Sequence, residues 1–421
     1  MSTKVADIEE TPPAMLGDGN TDPLMRILHI IGTISPEAGG PTESVRVLLS
    51  YGPIGYTGEV VTLDDPDASF LTDFDFPIHA LGPTRTVYGY NPKLLRWLRD
   101  NRHRFDGVVV NGLWQYCGYA AWRALRGHVP YVVFTHGMLD PYFKHTFPAK
   151  HLKKWLYWLM VEFWILRGAY RVLFTSKAEE RLAKQSFWLH RWNGLVVPYG
   201  ASGPPEEDPA FLKEAFFKQV PTARGKRFLL YLGRIHRKKG CNMLIDAFGK
   251  AAQTDPDLLL VMAGPDQQGW TSDLQAAAQQ HGITDRVLWP GMLKRDVKWG
   301  AFFAAEAFVL PSHQENFGIA VAEALACSLP VLLADKVNIA EEIAEDGAAL
   351  MEPDTPAGTL RLLERWIALS PSDRLRMHER ALSCYRSHYD MRENAKTIIR
   401  LFKNASQHRR QHALEATLSG H

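Results

Sequence analysis

Pro311-Ser312-His313-Gln314-Glu315-Asn316-Phe317-Gly318-Ile319-Ala320-Val321-Ala322-Glu323-Ala324-Leu325-Ala326 follows directly on the apolar run Ala307-Phe308-Val309-Leu310. The apolar run reads as a buried strand, Pro311 to Gly318 as a polar turn, and Ile319 to Ala326 as the start of a helix rich in small apolar residues. Such a turn leaves the backbone N–H groups of Asn316, Phe317, Gly318 and Ile319 at a helix N-terminus, where the helix dipole favours a negative or strongly polar ligand. Glu315 falls in the turn and Glu323 one or two helical turns on, up to ~12 Å away if the spacing is wholly helical. That is too far for a close acid–base pair. It suits the two ends of one extended ligand, with Glu315 addressing hydroxyls and Glu323 accepting hydrogen bonds from a diol. A nucleotide sugar has that shape, although a dipole-favoured acid followed by a solvated glutamate has the same spacing.

Upstream, Phe228-Leu229-Leu230-Tyr231-Leu232-Gly233-Arg234-Ile235-His236-Arg237-Lys238-Lys239-Gly240 precedes the amphipathic run Cys241 to Ala251. An apolar strand ends at Gly233, where the chain must turn tightly, and a basic loop enters a helix near Asn242. In outline this is a diphosphate clamp: Arg234 forks onto phosphate oxygens, Lys239 supplies a point charge and the helix adds its dipole. A solvated basic turn at Arg237, Lys238 and Lys239 is the plainer reading of the same residues.

In the first half, Met25-Arg26-Ile27-Leu28-His29-Ile30-Ile31 reads as a parallel strand, followed by Gly39-Gly40-Pro41 and a helix from Thr42 to Leu49. The two glycines either let backbone approach a ligand closely or form a flexible loop. There is no G-x-G-x-x-G to suggest a dinucleotide cofactor. Val108-Val109-Val110-Asn111-Gly112-Leu113-Trp114 and Tyr131-Val132-Val133-Phe134-Thr135-His136-Gly137-Met138-Leu139-Asp140 are strands opening into polar or aromatic loops, where α/β sheets place ligands. His136, one of 16 histidines, is the candidate catalytic residue of this half because of its position just after a strand. Arg171 to Glu180 reads as strand, cap and helix, a structural element.

Taken in order, Gly233-Arg234 to Lys239-Gly240, Val261-Met262-Ala263-Gly264-Pro265, Val287-Leu288-Trp289-Pro290-Gly291, the Glu315 to Glu323 stretch and Pro330-Val331-Leu332-Leu333 resemble the retaining glycosyltransferases of family 4, or group 1. The resemblance covers about residues 228 to 352. It implies an α/β GT-B fold, two Rossmann-like domains with parallel sheets facing across a cleft. It also implies that Arg234 and Lys239 bind the donor diphosphate, Glu323 the ribose and Glu315 the donor sugar. Asn316, Phe317, Gly318 and Ile319 line the donor, the Gly39-Gly40 loop lies under its phosphates, and His136 sits near the bond that breaks. His136 and Glu315 are thus the implied catalytic pair of residues, with the anomeric configuration retained. The nucleotide sugar is a co-substrate rather than a cofactor, and the acceptor is a saccharide or lipid-linked saccharide of bacterial polysaccharide or lipopolysaccharide synthesis. Two other classes fit the same residues: a sugar-nucleotide epimerase of the same fold and a non-catalytic sugar-nucleotide-binding protein. The chain departs from the family after Asp335, where Lys336-Val337-Asn338 replaces a Pro/Gly-rich turn.

The 421 residues, 46% hydrophobic and 22% charged, suit two soluble domains. The expected division is a disordered tail at 1–23, an acceptor domain at 24–200, a donor domain at 201–390 and a terminal helix at 391–421 packing back on the first domain. A net charge of +2 gives no nucleic-acid footprint. Cys117, Cys241, Cys327 and Cys384 lie far apart and fit a reducing cytoplasm. No metal is expected: Asp-x-Asp pairs at Asp65/Asp67, Asp73/Asp75 and Asp255/Asp257 lack a strand to aim them, and no zinc spacing occurs. Lys153-Lys154-Trp155-Leu156-Tyr157-Trp158-Leu159-Met160-Val161-Glu162-Phe163-Trp164-Ile165-Leu166-Arg167 is shorter than the ~20 residues a membrane span needs. It reads either as a helix packed inside the first domain or as a peripheral anchor at the inner membrane face.

Overall fold

Runs such as Val108-Val109-Val110 and Leu229-Leu230 have no apolar–polar alternation, the mark of strands covered on both faces. In the computed structural model, which describes residues 24–50, 56–146, 148–266 and 268–418, both runs are fully buried in parallel sheets. The tail expected at 1–23 lies outside the described residues.

The first sheet contains β1 (Met25–Ile31), β2 (Tyr56–Thr62), β3 (Ile78–Ala80), β4 (Gly107–Asn111), β5 (Tyr131–Phe134), β6 (Arg171–Phe174) and β7 (Gly194–Val196), in the order β3-β2-β1-β4-β5-β6-β7. The second contains β8 (Phe228–Leu232), β9 (Leu259–Ala263), β10 (Val287–Gly291), β11 (Ala307–Leu310), β12 (Val331–Ala334) and β13 (Ala349–Glu352), in the order β10-β9-β8-β11-β12-β13. Both are parallel, with helices in the crossovers. Strand order reverses between β1 and β4 in one sheet and between β8 and β11 in the other. Doubly wound sheets open a ligand crevice beyond the carboxyl ends of such strands. The loops leaving these four strands carry Gly39-Gly40, Asn111 to Trp114, Arg234 to Lys239 and Pro311 to Gly318. Topology therefore gathers the motif loops before any side chain is considered.

Two chain crossings join the halves, and they lie side by side. Ala201 N–H donates to Tyr389 O at 3.0 Å, and a Cβ on Gly200 would stand 2.4 Å from Met391 Cα. The helix Met391–Leu418 then returns to the first sheet, where Ile398 and Phe402 are buried. Phe402 packs so tightly on the start of β4 that a Cβ on Gly107 would lie 2.3 Å from its ring.

The apolar segment around residue 160 forms a helix at Pro148–Tyr157, a π-helical turn at Trp158–Glu162 and a further helix at Phe163–Gly168. Trp158, Phe163, Ile165 and Leu166 are buried in the first domain, while the opposite face is exposed. Among the described residues no helix is long and apolar enough to cross a membrane.

Candidate functional site

In the second half, two loops are pressed together by a glycine. Gly240 has φ +69° and ends the short turn Arg237–Lys239; a Cβ there would fall 2.0 Å from Pro311 O. Only glycine tolerates both the left-handed backbone and this approach. The loop after β8 thus abuts the loop after β11, and His313 N–H (2.9 Å) and Ser312 Oγ (3.0 Å) donate to Lys238 O. Lys239 Nζ is thereby brought onto Glu315 Oε2, an ion pair between the two strongest sequence candidates.

Glu315 is fixed from a third side. Its N–H donates to Lys336 O and its carbonyl accepts from Asn338 N–H, each at 3.0 Å. Lys336-Val337-Asn338, where the chain departs from the family pattern, is therefore the clip that holds the Glu315 loop. Beyond it, Gly318 at φ +75° precedes the helix Ile319–Ala326. Among the described hydrogen bonds, none is donated by the backbone N–H of Asn316, Phe317, Gly318 or Ile319. The Phe317 ring turns into the core, edge-on to Tyr199 and Tyr389 at 5.7 Å each, so only its main chain faces a ligand. Glu323 lies on the second turn of the helix and accepts from Lys298 Nζ at 2.7 Å; burial raises its carboxyl pKa against the pull of that lysine. Each glutamate has its own lysine, and the two line separate cavities.

In the first half, His136 follows β5 in a left-handed conformation, φ +50°, costly for a residue with a side chain. Its imidazole forms a three-ring cluster with Phe134 (5.6 Å) and Tyr199 (5.3 Å), which also touch each other at 5.2 Å, and it bonds to Tyr199 Oη and to Asn111 Oδ1 at 3.3 Å. Desolvation lowers its pKa to about 3, so the ring is neutral near pH 7. The strained loop is held by Glu179, whose role the sequence reading missed. One carboxylate oxygen accepts from Thr135 Oγ1 (2.5 Å) and Gly137 N–H (2.6 Å), the other from Thr175 N–H (2.6 Å) and Thr175 Oγ1 (2.7 Å). The signal was present as Ser176-x-x-Glu179, a capping-box spacing. Ser176 caps the helix as that motif predicts, while Glu179 is committed to the β5 and β6 loops instead.

The halves touch through these same loops. Asn316 Nδ2 donates to Thr175 Oγ1 (3.1 Å) and Glu179 Oε2 (3.3 Å), Gln314 Nε2 donates to Asp140 Oδ2 (3.0 Å), and a Cβ on Gly137 would meet the Asn316 side chain at 2.6 Å. They enclose a cavity of about 160 Å³ lined by His136, Arg234, Lys239, Glu315 and Asn316. Alongside lies a cleft of about 1150 Å³, with Asp140, Tyr142 and Arg181 on one wall and Arg237, Trp270 and Asp354 on the other. Gly39 and Gly40 line none of the described cavities; Gly39 at φ +92° needs glycine for its backbone, and a Cβ on either would meet nothing within 4 Å. Among the described residues no group of three His, Cys, Asp or Glu side chains is placed to hold a metal ion.

Two clustered cations, a run of open N–H donors and a neutral imidazole form a pocket for an anionic, hydroxyl-rich ligand. The family comparison agrees on both halves. The description "Glycosyl transferases group 1" matches residues 213–383, and "Glycosyl transferase 4-like domain" matches residues 48–200. This chain belongs to the group 1 glycosyltransferases. The enzyme is 26% identical over 337 residues, 78% of its own length and 83% of the relative's, to a GDP-mannose:cellobiosyl-diphosphopolyprenol alpha-mannosyltransferase of Xanthomonas oryzae pv. oryzae. It is 25% identical to the lipopolysaccharide core biosynthesis mannosyltransferase LpsB of Rhizobium meliloti, over 41% of the glycosyltransferase and 54% of LpsB. Its GT-B fold is shared with sucrose-phosphate synthase of Thermosynechococcus elongatus (TM-score 0.72, 20% identity, 91% and 99% of the two chains). The lipopolysaccharide glycosyltransferase WaaG shares it too (TM-score 0.60, 19% identity, 89% and 99%).

Proposed function

We propose that this glycosyltransferase is a retaining hexosyltransferase, moving a sugar from a nucleotide-diphosphate donor to a saccharide or lipid-linked saccharide in bacterial polysaccharide or lipopolysaccharide assembly. The observation that carries this reading is the convergence of Arg234, Lys239, Glu315 and neutral His136 on one cavity between the two switch points. When the anomeric C–O bond breaks, charge collects on the departing diphosphate. Arg234, Lys239 and the helix N-terminus at Asn316 to Ile319 neutralise it with protein groups alone. Lys239 exchanges Glu315 for a phosphate oxygen, and the released carboxylate turns to the donor-sugar hydroxyls. Glu323 takes the ribose diol. His136, uncharged, hydrogen-bonds at the reacting end and repels neither the sugar cation nor the incoming hydroxyl. The acceptor oxygen takes the place of the leaving phosphate on the same face, and its proton passes to the departing diphosphate oxygen as the anomeric C–O bond breaks. No cofactor beyond the nucleotide sugar enters this scheme.

Support for a lipid-linked acceptor comes from the diphosphopolyprenol substrate in the name of the Xanthomonas relative. In this reading the enzyme works in the cytoplasm, with access to the inner membrane face. Thermal shifts with UDP-, GDP-, ADP- and dTDP-sugars, run with EDTA on the wild type, Arg234→Ala and Lys239→Ala, test the donor reading. A rise in Tm with one nucleotide class, much smaller in both variants at the same concentration, is expected. No rise with any donor overturns it.

A further inference from the structure

We propose that the outward face of residues 148–168 is a docking surface for an anionic lipid bilayer. The segment is amphipathic in an inverted sense. Its inner face is already satisfied: Trp158 is fully buried, stacks on Phe187 at 4.3 Å and donates its indole N–H to Leu189 O at 2.8 Å. These contacts fix the helix on the domain, so the outer face is not waiting to fold inward. Yet that face, where a soluble domain places polar residues, carries Leu152, Leu156, Leu159, Met160 and Trp164 at helical spacing. Trp188 extends the patch from the next segment, its ring 5.9 Å from Trp155. Exposure of these side chains runs from 41% at Trp164 to 78% at Trp188. A contiguous apolar patch of this kind marks an interaction surface.

Charge selects the partner. Lys150, Lys153 and Arg167 are exposed around the stripe, whereas the single acid within 148–168, Glu162, is buried. Apolar residues and tryptophan framed by bases are what an interfacial helix presents to an anionic membrane surface. A second copy of the chain meeting this face symmetrically would bring the same cations together, which disfavours self-association. Tyr142 on the cleft wall lies six residues before the first residue of this helix, Pro148, so patch and cleft wall belong to one stretch of chain. The surface stands apart from the donor chemistry and survives if the donor reading fails.

Co-sedimentation with phosphatidylglycerol-containing vesicles and with pure phosphatidylcholine vesicles tests it, comparing the full-length wild type with Leu156→Glu/Met160→Glu and Lys150→Glu/Lys153→Glu. All four side chains are exposed or project from an exposed face, and circular dichroism with the melting temperature reports whether each variant is folded. Wild type is expected to pellet with the anionic vesicles at least tenfold more than with the neutral ones. The apolar double variant should lose binding to both, and the charge double variant should lose the preference for anionic lipid. Wild type remaining in the supernatant with anionic vesicles overturns the proposal. So does equal pelleting of the folded Leu156→Glu/Met160→Glu protein, or a wild-type dimer that this variant dissolves.

Discussion

Lys239 and Glu315 are ion-paired between the loops that follow β8 and β11, with side chains only 16% and 18% exposed. The pair occupies the place where the donor reading needs a phosphate and a sugar hydroxyl, so ligand binding must divide it. In a double-mutant cycle with Lys239→Ala and Glu315→Gln, chemical denaturation should give a coupling of about 1–3 kcal/mol in the free enzyme. The coupling should shrink at nucleotide concentrations saturating every variant, because Lys239 then holds phosphate. An unchanged coupling argues against the exchange.

His136, with its pKa lowered to about 3 by desolvation, stays neutral throughout the usual assay range. The kcat profile between pH 5 and 8 should carry no ionisation step that disappears in His136→Gln, while kcat itself falls roughly 100-fold in the variant. Nucleotide-induced thermal shifts should be retained. A histidine step near pH 6.5 lost on mutation would contradict a neutral role.

Glu162 predicts a pH-dependent stability of the opposite sign to that of an ordinary salt-bridged acid. Burial raises its carboxyl from 4.5 to about 8, against the Trp114 N–H it accepts at 3.2 Å. Between those values the folded state holds a proton that the unfolded chain releases, so stability falls as pH climbs from about 4.5 to 8 and levels off above. At about 1.4 kcal/mol per unit the loss is on the order of a few kcal/mol. Glu162→Gln should flatten this slope and be the more stable protein at pH 8, as read by urea titrations at several pH values.

Gly240→Ala and Gly39→Ala separate backbone strain from collision. Both glycines have positive φ, but the Gly240 Cβ would strike Pro311 O while that of Gly39 meets open space. Gly39→Ala should cost about 1–3 kcal/mol from backbone strain alone, since φ +92° with ψ −149° is a conformation nearly exclusive to glycine. Gly240→Ala should cost about 3 kcal/mol or more and also suppress the nucleotide response, because it forces apart the loops that carry Lys239 and Glu315. Equal costs would show that the approach to Pro311 is not tight.

The strands Met25–Ile31 and Ala307–Leu310 stand where the apolar pattern put them, the strand Tyr131–Phe134 opens the stretch read from Tyr131 to Asp140, and the helix after Gly318 begins at Ile319 as expected. The first-half helix begins at Gly40 rather than Thr42, a difference within the usual uncertainty of helix ends. Contacts between distant residues were not legible. Glu179 reaches Thr135 and Gly137 across about forty residues, and Gln314 meets Asp140 across 174. No local pattern encodes such pairs. The stretch from Lys153 to Arg167 was ambiguous for another reason: nearly every position is apolar, so composition could not separate a buried side from an exposed one. The fold buries one side, at Trp158, Phe163, Ile165 and Leu166, and leaves Leu152, Leu156, Met160 and Trp164 exposed on the other.

The packing of Phe402 on Gly107 also fixes an order of events. The first domain keeps part of its own core, Ile398 and Phe402, at the far end of the chain, after the whole second domain has been translated. Emerging from a ribosome, the earlier sheet must wait, with one side unsealed, until the later one is synthesised. The half made first is the half completed last.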